Sequence, residues 1–263
     1  MSRVNAIINE IEKIAPKFLK EDYDNVGMMV GDEDAEVKKV LMALDCTKEV
    51  IDEASRLGCE MIITHHPLFF RKPNRIVKGD LTGDKVLELI KNNINLYSCH
   101  TNLDSAENGI NKTIVSMLGY ESDIIMEPNK RNGYENCGIG RIVKLKDNVI
   151  LDDVIENVKK TLNIKSLRVA RGCEIIKTIA VINGSGQDFF GMAQSMGADC
   201  IITGDTTYHF VSDYKEMGVS VIDAGHFGTE YTVFLKTLEF LKDNFKDVEF
   251  IASKASKDPY EFV

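Results

Sequence analysis

The chain has 263 residues, of which 44% are hydrophobic and 28% are charged, and its formal net charge is −9. This length allows one large domain or two ordinary ones, and the apolar fraction is sufficient for a sizeable core. The negative charge disfavours a nucleic-acid partner, and no apolar run reaches membrane-spanning length, so we expect no membrane partner.

The six cysteines are scattered along the chain and include no CxxC pair. This spacing disfavours a zinc ribbon and a disulfide framework. The first residues contain no long apolar segment of the kind found in signal peptides. We therefore expect a reduced, cytoplasmic protein.

The first half of the chain predicts alternating helices and strands. Apolar residues at helical spacing predict an amphipathic helix that ends near Pro16. A turn at 24–27 leads into a short predicted strand at 28–31, and a further helix is expected around 83–93. In the second half, residues 138–171 predict a strand, a helix and a strand.

An internal repeat relates two parts of the chain. The segment Val40–His66 aligns without a gap on Ile179–Asp205, and both predict a strand, an amphipathic helix, a glycine and a second strand. Thr47 and Asp188 are the expected N-caps of the two helices. The segment Asn183–Gly186 predicts a tight turn before the second helix, whose N-terminus offers an anion site.

These repeated units predict an α/β fold of two related halves with mixed or largely parallel sheets, in a pseudo-twofold arrangement around a metal crevice. The polar, turn-rich segment 126–137 marks the expected boundary. The first half then comprises residues 1–125 and the second half residues 126–263.

All the histidines of the chain come shortly after β-like apolar runs. They are His65, His66, His100, His209 and His226. Side chains beyond the carboxyl ends of parallel strands line the ligand crevice of open α/β sheets. Imidazole is also the commonest protein ligand for transition metals. The pattern therefore predicts a metal site.

Two motifs place a carboxylate four residues after a histidine, namely His100/Asp104 and His226/Glu230. Each carboxylate is expected near a helix N-terminus, where a negative charge is favourable even without a metal. If the two halves face each other, five ligands meet, which suits two metals with a bridging carboxylate better than one tetrahedral zinc. The five predicted ligands are His65, His66, Asp104, His226 and Glu230.

Five motifs carry a resemblance to a known family. They are DNVGMMVGD at 24–32, THHPLFF at 64–70, HTNLDSAENGIN at 100–111, TGDTTYH at 203–209 and DAGHFGTE at 223–230. They resemble the Nif-three-like proteins, often catalogued as GTP cyclohydrolase I type 2 homologues. The resemblance implies a dinuclear centre with the same five ligands, a two-domain α/β fold and a ring-shaped homohexamer. His100 and His209 match family positions, and we expect them to be pocket groups.

The leading hypothesis is a dinuclear metal-dependent hydrolase that acts on a nucleotide or another phosphorylated small molecule, as a GTP cyclohydrolase does. Its cofactors would be two divalent ions per chain, with zinc, iron, manganese or cobalt suiting imidazole and carboxylate ligands. Their positive charge favours an anionic substrate; Glu230 would bridge the metals, and His100 or His209 would shuttle a proton. The alternatives are a non-catalytic protein that stores, delivers or senses metal, and a ring-shaped scaffold that binds a partner.

Overall fold

The computed structural model describes residues 1–122, 124–261 and 263 and divides the chain into two compact units. Unit 1 comprises Met1–Leu103 and Phe234–Lys257, and unit 2 comprises Asp104–Val233 and Asp258–Val263. The sequence instead places a boundary between residues 125 and 126. The division differs because a helix within residues 104–125 packs on the sheet of unit 2 and a late strand joins the sheet of unit 1.

The elements are numbered in chain order. The strands are β1 (Gly27–Val30), β2 (Lys39–Ala43), β3 (Met61–Thr64), β4 (Asn95–Ser98), β5 (Ile124–Pro128), β6 (Gly138–Ile150), β7 (Arg168–Ala170), β8 (Ile175–Ser185), β9 (Cys200–Gly204), β10 (Ser220–Asp223) and β11 (Glu249–Ala252). The helices are α1 (Val4–Ile14), α2 (Lys48–Leu57), α3 (Leu81–Lys91), α4 (Thr101–Ser105), α5 (Ile110–Met117), α6 (Leu151–Leu162), α7 (Phe190–Ser195), α8 (Tyr208–Glu216), α9 (His226–Thr237) and α10 (Leu241–Asn244).

Unit 1 is built on a five-stranded sheet in the order β1-β4-β3-β2-β11. Strands β4, β3, β2 and β11 run parallel, and β1 is antiparallel to β4. Every residue of β3 and β4 is buried, as expected for strands covered on both faces. Since β3 and β4 are parallel neighbours, the residues that follow them leave the sheet at the same edge.

Unit 2 contains a six-stranded mixed sheet in the order β5-β6-β8-β9-β10-β7. Its central strands β8, β9 and β10 are parallel, whereas β5, β6 and β7 pair antiparallel with their neighbours. The apolar residues between this sheet and α7 form a buried cluster that includes Phe190 and Ala193. The three parallel strands therefore deliver their carboxyl ends to one edge of the sheet.

The pairing registers confirm the internal repeat. In unit 1, Val40 of β2 lies opposite Met61 of β3, and in unit 2 Ile179 of β8 lies opposite Cys200 of β9. Each residue of the second pair follows its counterpart by the offset of the sequence alignment. The predicted α/β class, with two related halves and mixed sheets, is confirmed.

Of the two N-caps predicted from the sequence, the structure confirms one and contradicts the other. The Thr47 side chain accepts a hydrogen bond from the backbone N–H of Val50 and caps α2, as predicted. The prediction of Asp188 as a cap is wrong. A short 3-10 turn at Gln187–Phe189 precedes α7, so Asp188 lies within that turn and Phe189 occupies the N-cap.

A buried carboxylate fastens the segment after β11 to α2 in unit 1. The Glu53 carboxylate accepts hydrogen bonds from the Ser253 hydroxyl at 2.5 Å, the Lys254 N–H at 3.1 Å and the Ala255 N–H at 3.0 Å. Burial raises the pKa of Glu53, but these hydrogen bonds outweigh burial and lower it below its ordinary value. Glu53 is therefore a charged clamp.

None of the helices in the described part of the chain combines the length and the apolar character needed to cross a bilayer.

Candidate metal centre

Three histidines form a cluster in unit 1. His65 and His66 directly follow β3, and His100 follows the neighbouring strand β4. The ring centroid of His65 lies 5.2 Å from that of His66 and 5.1 Å from that of His100. One ring nitrogen of each residue lies within 4.8 Å of the corresponding atoms of the other two. The structure thus places His100, predicted to be a pocket group, beside the two predicted ligands of this unit.

Oxygen atoms fix the ring orientation of His65 and His66. The Nδ1 atom of His65 lies 2.9 Å from the carbonyl oxygen of Cys99, and Nδ1 of His66 lies 2.8 Å from Oδ1 of Asp45. A carbonyl or carboxylate oxygen can only accept, so each ring donates from Nδ1 and carries its lone pair on Nε2. Histidines that bind metals have this arrangement, because the second hydrogen bond sets the tautomer and orientation.

The turn at 24–27, to which sequence analysis assigned no role, supports His100. Nδ1 of His100 donates to Asp24 Oδ1 at 3.0 Å, and Asp24 Oδ2 accepts from the Thr101 N–H at 3.1 Å and the Thr101 hydroxyl at 2.5 Å. Burial raises the pKa of Asp24, but the hydrogen bond and charge of His100 and the Thr101 bonds outweigh it and lower the pKa to about 2. Asp24 therefore stays charged and holds the His100 ring.

In unit 2, His226 and Glu230 lie one helical turn apart on α9. Nε2 of His226 is 2.9 Å from Oε2 of Glu230, and Nδ1 of His226 is 2.7 Å from Oδ2 of Asp205. Both ring nitrogens thus face carboxylates. This geometry calls for a positive charge between Nε2 and Glu230, which either a proton or a metal cation provides.

Asn183, near the end of β8, joins the two predicted carboxylate ligands of unit 2. Its side-chain Nδ2 donates to Oδ1 of Asp104 and to Oε1 of Glu230, each at 2.9 Å. Both carboxylates are buried, with relative exposures of 8% for Asp104 and 3% for Glu230. Sequence analysis predicted that these carboxylates act together, and the structure places them at one amide nitrogen.

Gly184 leaves room for the Glu230 carboxylate. It has a φ of +55°, and a Cβ at this position would lie only 2.3 Å from Oε1 of Glu230. Its N–H donates to the Thr229 hydroxyl at 3.0 Å, which ties the turn to α9. The turn at 183–186 therefore forms part of the carboxylate cluster.

His209 occupies a different position from the other histidines. It is exposed on α8, and its ring contacts that of Tyr208 at a centroid distance of 5.3 Å. In the part of the chain that the structure describes, it forms no hydrogen bond with His226 or Glu230. Its role as a proton shuttle stays a prediction.

Sequence analysis missed the groups that orient the ligands. They are Asp24, Asp45, Asn183 and Asp205. Asp45 and Asp205 each follow the apolar run of a strand, a position that offered a signal. However, the chain contains 41 acidic residues, and periodicity does not show which of them faces an imidazole.

The donor atoms in both clusters suit a transition metal. Imidazole nitrogens and carboxylate oxygens are ligands for zinc, iron, manganese or cobalt, whereas magnesium and calcium prefer oxygen ligands alone. Buried acidic groups and carbonyl oxygens behind the histidines supply the hydrogen bonds that metal-binding imidazoles need. These residues can therefore hold a metal ion.

Comparisons with known proteins agree with the fold and with the family resemblance. A "GTP cyclohydrolase 1 type 2 homolog" from Clostridium perfringens is 54% identical over 263 residues, which cover 99% of this chain and all of that protein. Staphylococcus aureus protein SA1388 has a similar structure, with a TM-score of 0.89, 30% identity and 99% coverage of both chains.

A second solved structure, reduced HcgD from Methanocaldococcus jannaschii, has a TM-score of 0.84 and 33% identity, and the match covers 96% of this chain and 98% of that one. The family model for Duf34/NIF3 (NGG1p interacting factor 3) matches residues 2–259. The resemblance seen in the motifs is thereby confirmed, and the chain belongs to the DUF34/NIF3 family.

Proposed function

We propose that this protein is a metal-dependent hydrolase that acts on a nucleotide or another phosphorylated small molecule. One observation carries the proposal: each clustered imidazole turns Nδ1 to a fixed oxygen atom. An enzyme gains from such preorganisation because ligands that are already oriented need not rearrange when the metal or the substrate binds.

The proposal assigns two divalent cations to each chain. The ligands are those predicted from the sequence: His65, His66, Asp104, His226 and Glu230. With four positive charges on two cations and two negative charges on the carboxylates, the centre would attract an anionic substrate. The name of the Clostridium perfringens relative, a GTP cyclohydrolase 1 type 2 homolog, supports GTP as the first substrate to test.

When bound, divalent cations act as Lewis acids and make water a nucleophile near neutral pH. Proton transfer and the positioning of the ligands are the work of the side chains. Because Nδ1 of His100 donates to Asp24, the lone pair on Nε2 of His100 can accept a proton from water or substrate. The charged Asp24 then stabilises the imidazolium that forms. In this scheme Asn183 keeps two carboxylates in place.

The first experiment measures metal per chain by elemental mass spectrometry on untagged protein purified without chelator. Wild type is compared with the double variant His65→Ala/Glu230→Ala, and His209→Ala is the control because His209 is exposed outside both clusters. We expect about two metals in wild type and in the control, and none held tightly by the double variant. Equal metal content in all three proteins would contradict the ligand assignment.

Turnover is then tested on wild type with a nucleotide panel led by GTP, and each product is identified by mass spectrometry. The proposal expects turnover that disappears after chelation and returns with one of the four candidate metals. A metal-loaded protein that converts no phosphorylated compound would contradict the hydrolase assignment and leave the metal site intact.

A second candidate function is the storage, delivery or sensing of metal. The side chains of His66 and His226 are 16% and 33% exposed, so solvent and chelators can reach two of the proposed ligands. A carrier should exchange its metal with a weak chelator within minutes, whereas an enzyme cofactor should remain bound through many turnovers. Isotope exchange monitored by mass spectrometry separates the two functions.

We also propose the homohexamer that the family resemblance implies. Helix α8 has no buried residue among those described, and its Tyr208 and Phe210 are exposed, which leaves apolar surface for contact with another chain. Light scattering on purified protein should give the mass of six chains. A monomer at micromolar concentration would contradict the assembly without affecting the metal assignment.

A further inference from the structure

A cavity of about 380 Å³ lies in unit 1, between the histidine cluster and the start of α3. Its lining includes Phe69, Phe70, Arg71, Asn74, Arg75 and Thr82. Small-molecule sites in proteins usually measure about 300–1,000 Å³. The cavity therefore has room for a phosphate group with one attached ring system, and not for a folded macromolecule.

The cavity wall carries Arg71, Arg75 and one acidic residue, Asp80, and the segment that supplies them is basic in a chain that is acidic overall. The exposed segment 71–80 contains Arg71, Lys72, Arg75 and Lys78, with Asp80 as its one acidic residue. In the described part of the chain, neither Arg71 nor Arg75 takes part in a hydrogen bond or ion pair. Two guanidinium groups without protein partners thus line one cavity, and guanidinium is well suited to binding phosphate.

The same cavity adjoins the histidine cluster. The Phe70 ring, half exposed, meets the His100 ring edge to face at a centroid distance of 5.7 Å. Behind it, the Asn25 side chain donates to the carbonyl oxygen of Phe69 at 2.8 Å, and Asn25 adjoins the Asp24 that holds His100. A ligand in the cavity would thus meet Phe70, whose ring in turn contacts His100, the residue to which we assign proton transfer.

Contacts at the far end hold the basic segment in place. The Asp80 carboxylate caps α3 by accepting from the Gly83 N–H at 3.0 Å, and Asp84 accepts from the Gly79 N–H at 2.8 Å. A Cβ on Gly83 would lie 2.2 Å from the carbonyl oxygen of Val77, so the segment packs closely on the helix. The arginines are presented by a loop that is fastened at both ends.

We propose that this cavity binds the phosphate and the base of a mononucleotide-sized substrate, with Arg71 and Arg75 on the phosphate and Phe70 against the base. The inference rests on the proposed function, because it supplies the substrate contacts of the same site. It also makes the basic segment a determinant of specificity, since it selects phosphorylated compounds over their dephosphorylated counterparts.

The test is calorimetric titration of the metal-loaded full chain with GMP, guanosine and ribose 5-phosphate. We expect GMP to bind at least tenfold more tightly than guanosine. The variant Arg71→Ala/Arg75→Ala should lose that tenfold preference, and Arg71→Lys/Arg75→Lys should retain part of it. The matched control Lys72→Ala/Lys78→Ala removes the same charge from the same segment, at residues outside the cavity lining, and should change GMP affinity less than threefold.

Equal loss in the arginine and lysine variants would overturn the site, because general charge attraction would then explain binding. Absence of GMP binding by wild type would overturn it as well.

Phe70→Leu should weaken the binding of GMP and of guanosine by a similar factor and affect the binding of ribose 5-phosphate little. Metal content and turnover are measured in parallel. A protein that is inactive or holds no metal, but still binds GMP through the arginines, would refute the hydrolase proposal and leave the cavity proposal standing.

Discussion

At the scale of single residues, the groups that hydrogen-bond the proposed ligands are as informative as those ligands themselves. Each clustered histidine has a defined oxygen partner at Nδ1: a backbone carbonyl for His65 and an aspartate for each of the others. The same Nδ1 orientation therefore recurs at every clustered imidazole, and it is the arrangement found in histidines that bind metals.

Asp45 offers a direct test of this interpretation. In Asp45→Ala, the His66 ring loses the acceptor at 2.8 Å, and we expect metal affinity to fall about 10–100-fold, the usual effect of removing such a partner. Asp45→Asn keeps an amide oxygen that can accept from Nδ1 and should retain most of the affinity. Competition with a chromogenic chelator measures both. Equal affinity in Asp45→Ala and wild type would refute the orienting role.

A substitution at Gly184 tests whether the Glu230 carboxylate needs the space that this glycine leaves. Gly184→Ala places a methyl group 2.3 Å from Oε1 of Glu230, so the carboxylate must move and metal occupancy should fall well below that of wild type. The control is Gly197→Ala, which has a similarly left-handed backbone with a φ of +83° and no neighbouring atom within 4 Å. Both variants should lose about 1–2 kcal/mol from backbone strain. Metal loss in both, or in neither, would contradict the steric explanation.

Candidate ligands are easier to predict from the sequence than the groups that surround them. His65 and Glu230 could be proposed as ligands because strand ends and a repeated spacing mark them without tertiary information. Asn183 was seen only as part of a turn, since nothing in its local sequence shows that one amide meets two carboxylates. Asp24 was likewise placed in a turn, and its partner is 76 residues away.

At the scale of elements, local pattern was reliable and long-range pairing was not. The repeated strand-helix-strand unit was predictable because alternating apolar periodicities and glycine stops are local signals. The pairing of β11 with β2 joins residues about 210 apart, and no local signal reveals it. The predicted boundary at residues 125 and 126 follows turn composition, whereas the packing of α5 on β6 and β8 assigns the preceding segment to unit 2.

The contribution of Glu53 to the stability of this long-range pairing can be measured as a change in the free energy of unfolding. Glu53→Gln replaces a charged acceptor of three hydrogen bonds, and we expect the free energy of unfolding at pH 7 to fall by about 2 kcal/mol. Because the pKa of Glu53 is lowered in the folded state, its contribution is present above the ordinary value of 4.5 and is lost as the pH falls below it. The difference between wild type and variant in urea denaturation should therefore stay constant above about pH 5 and shrink as the pH falls below 4.5. A difference that stays constant with pH would show that shape, and not charge, matters at this position.

At the scale of the whole molecule, the thiols report on how completely the chain is packed. All six cysteines are free, and only Cys173 is not fully buried. Burial raises the pKa of Cys46 to about 12 and that of Cys59 to about 11, and it also raises the pKa of Cys200. Thiolates, the reactive form, are therefore scarce at these buried positions.

We expect a thiol reagent at pH 8 to modify at most one cysteine rapidly in the native protein and all six in denaturant. The variant Cys173→Ser should abolish the rapid phase and leave five slow thiols. Rapid reaction of several thiols in the native protein would show that the buried strands open more readily than their packing implies.

The return of β11 to the first sheet has a consequence for biosynthesis. Strand β2 pairs with β3 on one side and with β11 on the other, and the whole central segment of unit 2 is translated between β2 and β11. While the ribosome makes that segment, the outer edge of β2 presents unpaired backbone groups, which invite pairing with other chains. Nascent chains are therefore prone to aggregate for a long part of their synthesis. A truncated mRNA that ends before codon 249 would yield a chain without β11, in which the edge of β2 stays unpaired.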